Sequence, residues 1–196
     1  IIVSVGIFLL LIIKPKKSKV NNKNNNDYLP KYETDYKKHI LDLGLTIHLL
    51  DGFQLWVDSK VIPNTKWKSI KARNLFIYII LKNNNGASLT KIDSLFWPDV
   101  KTSSARNSRS VALNRIRNII YPYGQMIQKT DDKIFIKQDS RVFLDYTYLL
   151  TLMNKSNIVN TRNFLAPMHI YGKYGLLPEL EKDWMSYFRI DLEKSV

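Results

Sequence analysis

The chain has 196 residues, 45% hydrophobic and 24% charged, which is enough apolar side chain for a packed core and too much for general disorder. Thirty Lys and Arg stand against seventeen Asp and Glu, a formal net charge of +13; this favours a polyanionic partner, nucleic acid or an acidic membrane surface, and disfavours acidic substrates. Without cysteine, disulfide scaffolds, Cys-based zinc sites and thiol catalysis are excluded, and the isolated His39, His48 and His169 leave little metal chemistry.

Residues 1–13 are an almost wholly apolar run, followed at once by Lys14, Lys16, Lys17 and Lys19. A full span of the hydrocarbon core takes roughly 20 residues, so the run reads as a partial transmembrane helix. The basic residues follow the apolar stretch, whereas a secretory signal puts them first, so the C-terminal flank is expected in the cytoplasm and the protein in the cytoplasmic (inner) membrane as a single-pass chain. Residues 14–43 read as a basic flank and flexible linker, with a polar Asn-rich tract at Val20–Asn26. Beyond the flank the basic surplus is localised. Residues 44–138 carry fifteen basic and six acidic side chains, and residues 139–196 carry seven of each.

Within 44–138, Thr46–Asp51 and Phe53–Asp58 are β-rich runs separated by Gly52, and Ser59-Lys60 turns the chain into Val61-Ile62-Pro63, so a small antiparallel sheet is expected. From Ser69 to Lys82 the pattern reads as a helix ending in an Asn/Gly cluster, although periodicity alone leaves a strand open over residues 75–81. Thr90-Lys-Ile-Asp93 opens a short helix, with the Thr hydroxyl as cap, and Trp97-Pro98-Asp99 closes it.

The informative stretch is Ser103 to Ile120. At 100° per residue Ala105, Ala112, Ile116 and Ile119 share one direction, with Leu113 and Ile120 beside them, and form the buried stripe. Ser103, Arg106, Asn107, Ser110, Asn114 and Arg117 lie opposite, with Arg109 and Arg115 flanking the stripe. This outer face has no carboxylate. Solvated helix faces commonly mix acids with Lys for local pairing, whereas Arg reaches guanine O6/N7, Asn pairs with adenine N6/N7, and Ser permits close approach to a groove wall. A second helix after a short first one is also the helix-turn-helix arrangement. Met126–Lys129 and Lys133–Lys137, joined by Thr130-Asp131-Asp132, then read as a hairpin wing with Lys129 and Lys133 placed for phosphates.

Sheet, helix, short helix, long basic helix and hairpin, in this order, resemble the winged helix-turn-helix of bacterial response regulators, and more closely that of SARP-type transcriptional activators, named for antibiotic regulatory proteins. Ser88-Leu-Thr-Lys-Ile-Asp-Ser-Leu-Phe-Trp-Pro-Asp99 and Ser104-Ala-Arg-Asn-Ser-Arg-Ser-Val-Ala-Leu-Asn-Arg-Ile-Arg117 carry the likeness. A second block, Tyr171-Gly-Lys-Tyr-Gly-Leu-Leu-Pro178 with Trp184 and Arg189, looks like the opening of the family's helical, tetratricopeptide-related activation domain, assigned to 139–196. Asp132-Lys133-Ile134-Phe135 stands where the family carries Gly-Tyr near the wing. A helical repeat needs neighbours to cover its apolar face, so Trp184, Tyr187, Phe188 and Leu192 are expected partly uncovered. The resemblance implies an α+β fold and double-stranded DNA as partner, with tandem binding to direct repeats as a homodimer on DNA and contact with RNA polymerase; Ser103, Arg106, Asn107, Arg109, Ser110, Asn114, Arg115 and Arg117 of the long helix and Lys129 and Lys133 of the hairpin are then the expected DNA contacts. The apolar start adds the membrane.

Two other readings compete. A winged-helix module that binds protein or anionic lipid without touching DNA would use the same charge. An enzyme is the weakest option: no Gly-rich phosphate loop follows a strand, no nucleophile stands beside a base in a known motif, and no cofactor or metal is expected. Glu179, Glu181 and Asp183 after Pro178 fit a helix start and not catalysis. Trp56, Trp67, Trp97 and Trp184 read as packing anchors, and Tyr121 and Tyr123 as packing at a helix end rather than base-stacking platforms.

Overall fold

A computed structural model describes residues 44–50, 52–83, 85–137, 139–155 and 175–195. The apolar run, the Asn-rich tether, His39 and His169 lie outside them. Among the described residues no helix is long and apolar enough to cross a membrane.

The first sheet begins with β1 (Leu45–His48), β2 (Gln54–Val57) and β3 (Lys60–Ile62), antiparallel in succession. Asp58 and Ser59 turn the chain between β2 and β3 with φ of +47° and +62°, the left-handed pair that a two-residue hairpin requires. The Tyr123 hydroxyl donates to Asp58 Oδ1 at 2.5 Å and holds this turn from across the molecule. Gly44 is needed where it stands, because a Cβ there would overlap the ring of Tyr123. One expectation is corrected here: the sheet is mixed, not purely antiparallel. A fourth strand, β7 (Val142–Leu144), lies parallel to β1, with Leu45 opposite Val142, and the order is β3-β2-β1-β7.

Helix α1 (Ile70–Leu81) is capped by Ser69, whose Oγ accepts from the Ala72 amide at 3.2 Å. The strand alternative for 75–81 falls away. Every residue from Asn74 to Leu81 is buried, so this helix is the axis of the core and not a surface element with one apolar stripe. β4 (Ala87–Ser88) leads directly into α2 (Leu89–Phe96), and α3 (Thr102–Ile119) follows. The expected start of α2 moves back by two residues. Ser88, not Thr90, is the cap, its hydroxyl facing the Lys91 amide and bonded to that of Thr90 at 3.0 Å. β5 (Ile127–Lys129) and β6 (Lys133–Ile136) form the hairpin, and β4 adds to it in the order β4-β6-β5. Asn83 Oδ1, just past α1, accepts from the Ile136 amide at 2.6 Å and ties the hairpin to the core.

The expected boundary at 138/139 is not a division in the structure. β7 belongs to the first sheet, and α4 (Asp145–Lys155) starts on a buried carboxylate that accepts from the amides of Leu49, Leu50 and Tyr146. His48 Nδ1 lies 3.5 Å from the same carboxylate. Leu176 bridges to Leu50, and α5 (Asp183–Ser195) packs its Trp184 and Phe188 edge-on against Tyr78 of α1. Arg189 secures the turn before α5 by donating to the carbonyls of Leu176, Leu177 and Leu180. The expectation that α5 stands uncovered is therefore corrected for Phe188 and Leu192, which are buried; Trp184 is half-buried and Tyr187 exposed. The cover comes from α1 and α2, whose apolar surface extends past what α3 and the sheets occupy.

Candidate nucleic-acid interface

Helix α3 spans Thr102–Ile119, within one residue of its expected limits. Ala105, Arg109, Ala112, Leu113 and Ile116 are its buried residues. Ser103, Arg106, Asn107, Ser110 and Asn114 are exposed along the other side, as is Arg115. Its first turn, Thr102-Ser103-Ser104, carries no acid, and no side chain caps it, so the initial amides and the positive end of the helix dipole are left for an anion.

Two arginines on this helix are committed to the protein. Arg109, expected among the DNA-contacting residues, is buried: its Nη1 lies 2.5 Å from Asp93 Oδ2 of α2 and donates to the Leu89 carbonyl at 3.2 Å. The reason lies in the wheel itself, which puts Arg109 on the Ala105–Leu113 side where α2 crosses. Arg117 is half-buried and donates to the Ile127 carbonyl of β5 at 3.1 Å and to Asn114 Oδ1 at 3.4 Å. It braces the hairpin against the helix and orients Asn114.

The hairpin places Lys129 and Lys133 in solvent on either side of Thr130-Asp131-Asp132. Thr130 Oγ1 accepts from the Lys133 amide at 3.1 Å and closes the turn. Between the hairpin, α2 and the start of α3 runs an open groove of about 760 Å³. Hydroxyls of Ser88, Thr90, Ser94 and Thr102 line it together with Arg106 and Lys129, and carboxylates come from Asp93 of α2 and from Asp131 and Asp132 at the wing tip. The acid-free character thus belongs to α3 and stops at α2 and the wing. Three of these hydroxyls, those of Ser88, Thr90 and Thr102, stand at the starts of two successive helices, which is the signal they leave in the sequence, and Ser94 joins them from the last turn of α2. Tyr123 is buried as a packing residue, whereas Tyr121 is 77% exposed. Among the described residues no cluster of three or more His, Asp or Glu is placed to hold a metal ion.

No family model matches the sequence, and no curated protein matches it. A solved structure, Mycobacterium tuberculosis EmbR in complex with a low affinity phosphopeptide, is similar in fold, with a TM-score of 0.60 and 13% identity over 77% of this chain and 42% of that chain. At that identity the likeness is one of fold. It supports, at a coarse level, the mixed α+β architecture expected from the order of the elements, and this chain spans less than half the length of that protein.

Proposed function

We propose that this protein is a transcription regulator that binds double-stranded DNA, with α3 in the major groove and the β5–β6 hairpin as wing. The observation that carries this reading is the outward face of α3, where Ser103, Arg106, Asn107, Ser110 and Asn114 are exposed side by side with no carboxylate among them. Arg106 and Asn107 are the base readers: the guanidinium offers paired N–H donors to guanine O6 and N7, and the Asn amide a donor and an acceptor to adenine N7 and N6. Lys129, Lys133 and the uncapped amides at the start of α3 hold phosphates, which set register and carry most of the affinity. No covalent chemistry is part of this function. Attachment to the cytoplasmic membrane through residues 1–13, contact with RNA polymerase and tandem binding as a homodimer belong to the same proposal; the apolar run supports the first, and the resemblance to SARP-type activators the other two.

The test is selection from a random duplex pool, followed by titration of the selected and a scrambled duplex against the full chain. Arg106→Glu is expected to abolish binding to both while leaving association with inner-membrane vesicles intact. Asn107→Ala is expected to lower preference for the selected duplex more than affinity for the scrambled one. Unchanged duplex binding by Arg106→Glu, with its fold intact, overturns the proposal.

A further inference from the structure

Arg106 and Arg115 are nine residues apart, which puts them on opposite flanks of a helix with 3.6 residues per turn. Arg106 borders the groove beside the wing. Arg115 borders a different one, between α3, the start of α1 and the short 3-10 turn Asn64–Lys66, with a volume of about 460 Å³. Its floor is apolar, formed by Ile62, Trp67 and Ile119, and its rim carries Lys66, Lys68 and Arg115. No carboxylate lines it. The three rim cations are exposed, and Ile70, the first residue of α1, is 68% exposed beside groove-lining Ser69.

A nucleic-acid backbone accounts for the cations but not for the floor, because phosphate and sugar offer no bulky apolar group to fill it. Seating an apolar side chain there removes apolar surface of both partners from water, a gain that a backbone contact forgoes. A protein segment that carries an apolar side chain between carboxylates satisfies both features. The wing-side groove would not accept the same segment, since Asp93, Asp131 and Asp132 line it.

We propose that this groove is the docking site for an acidic segment of a partner protein, its Phe, Leu, Trp or Tyr seated among Ile62, Trp67 and Ile119 and its Asp or Glu paired with Lys66, Lys68 and Arg115. Arg115 then serves protein docking and not base reading. The partner sits on the flank of α3 away from the wing, beside whatever α3 itself engages.

The experiment uses the full chain and short fluorescein-labelled peptides that place one Phe, Leu, Trp or Tyr between Asp and Glu residues, followed by fluorescence anisotropy. Controls replace the apolar residue by Ser, or the acids by Lys. At least one acidic-apolar peptide is expected to bind, and the Ser and Lys controls to bind at least about tenfold more weakly. The double variant Lys66→Glu/Lys68→Glu, with an unchanged thermal unfolding midpoint, is expected to lose the same peptide by at least about tenfold. Its duplex affinity is expected to fall by less than about threefold at 0.15 M salt, where charges beyond about 8 Å are screened. Equal binding of the Ser control, or of the charge-reversed variant, overturns the proposal. So does loss of duplex binding by the variant with the peptide unaffected, which would assign the groove to phosphate. Failure of the DNA reading shows separately, in the wild-type duplex titration.

Discussion

Arg106 and Arg109 lie one turn apart on the same helix and have opposite fates. Arg109 is 6% exposed, neutralised by Asp93 and bonded to a backbone carbonyl, so it fixes how α2 crosses α3. Arg106 is in solvent at the edge of the wing-side groove. The two faces of α3 thus divide a single residue type between the packed interior and solvent. A count of positive charges overstates what a ligand meets, because a guanidinium with a buried counter-ion presents little field outward.

The largest expected effect tests the inner face. Asp93→Ala leaves Arg109 buried without its carboxylate and is expected to destabilise the fold by about 3–5 kcal/mol in urea unfolding, whereas Arg106→Ala changes stability by less than about 0.5 kcal/mol. Equal, small effects of the two would erase the contrast. Asp145→Ala removes the acceptor shared by the Leu49, Leu50 and Tyr146 amides. A buried donor left unsatisfied costs about 1–3 kcal/mol, and the same unfolding assay is expected to show a loss of that size or larger.

On the outer face, Asn107→Ala is expected to narrow discrimination between selected and scrambled duplex by about 1–3 kcal/mol. Lys129→Ala and Lys133→Ala are each expected to make the plot of log affinity against log salt shallower by about 0.9 without changing sequence preference. The smallest effect concerns Tyr123, whose phenol is pushed above its ordinary range by the hydrogen bond to Asp58 and by burial. Because the folded state holds this proton more tightly than the unfolded chain, its contribution to stability is complete below pH 10 and fades as pH rises through the shifted value. Tyr123→Phe is expected to remove one late-ionising phenol from the ultraviolet titration.

Much of this arrangement was legible in the sequence. The limits of α3, the antiparallel β1–β2–β3 order and the hairpin follow from periodicity and turn residues, which are local signals. What escaped was long-range or too short to have a period. β7 has three residues and pairs with a strand some hundred positions earlier, so no local pattern marks it. Arg109 has the residue type of the outer face, but the wheel sets it beside the buried stripe, and its partner Asp93 sits on the preceding helix. A signal for the cover of α5 was present. The run Leu75-Phe-Ile-Tyr-Ile-Ile-Leu81 is apolar on all sides, and a helix of that kind must be enclosed from more than one direction. The grooves on either flank of α3 could not be read from sequence, because Ile62, Lys66, Lys68 and Arg115 converge only once three elements are packed.

The position of β1 has a mechanical consequence. It is an interior strand, laddered to β2 on one side and to β7 on the other, and the Leu45 amide at its start is bonded to the Arg141 carbonyl. Tension delivered through the chain at residue 44 bears on both ladders together and is shared with the segment leading into α4. A pull at this point therefore strains the body as a whole before it can peel away a single edge.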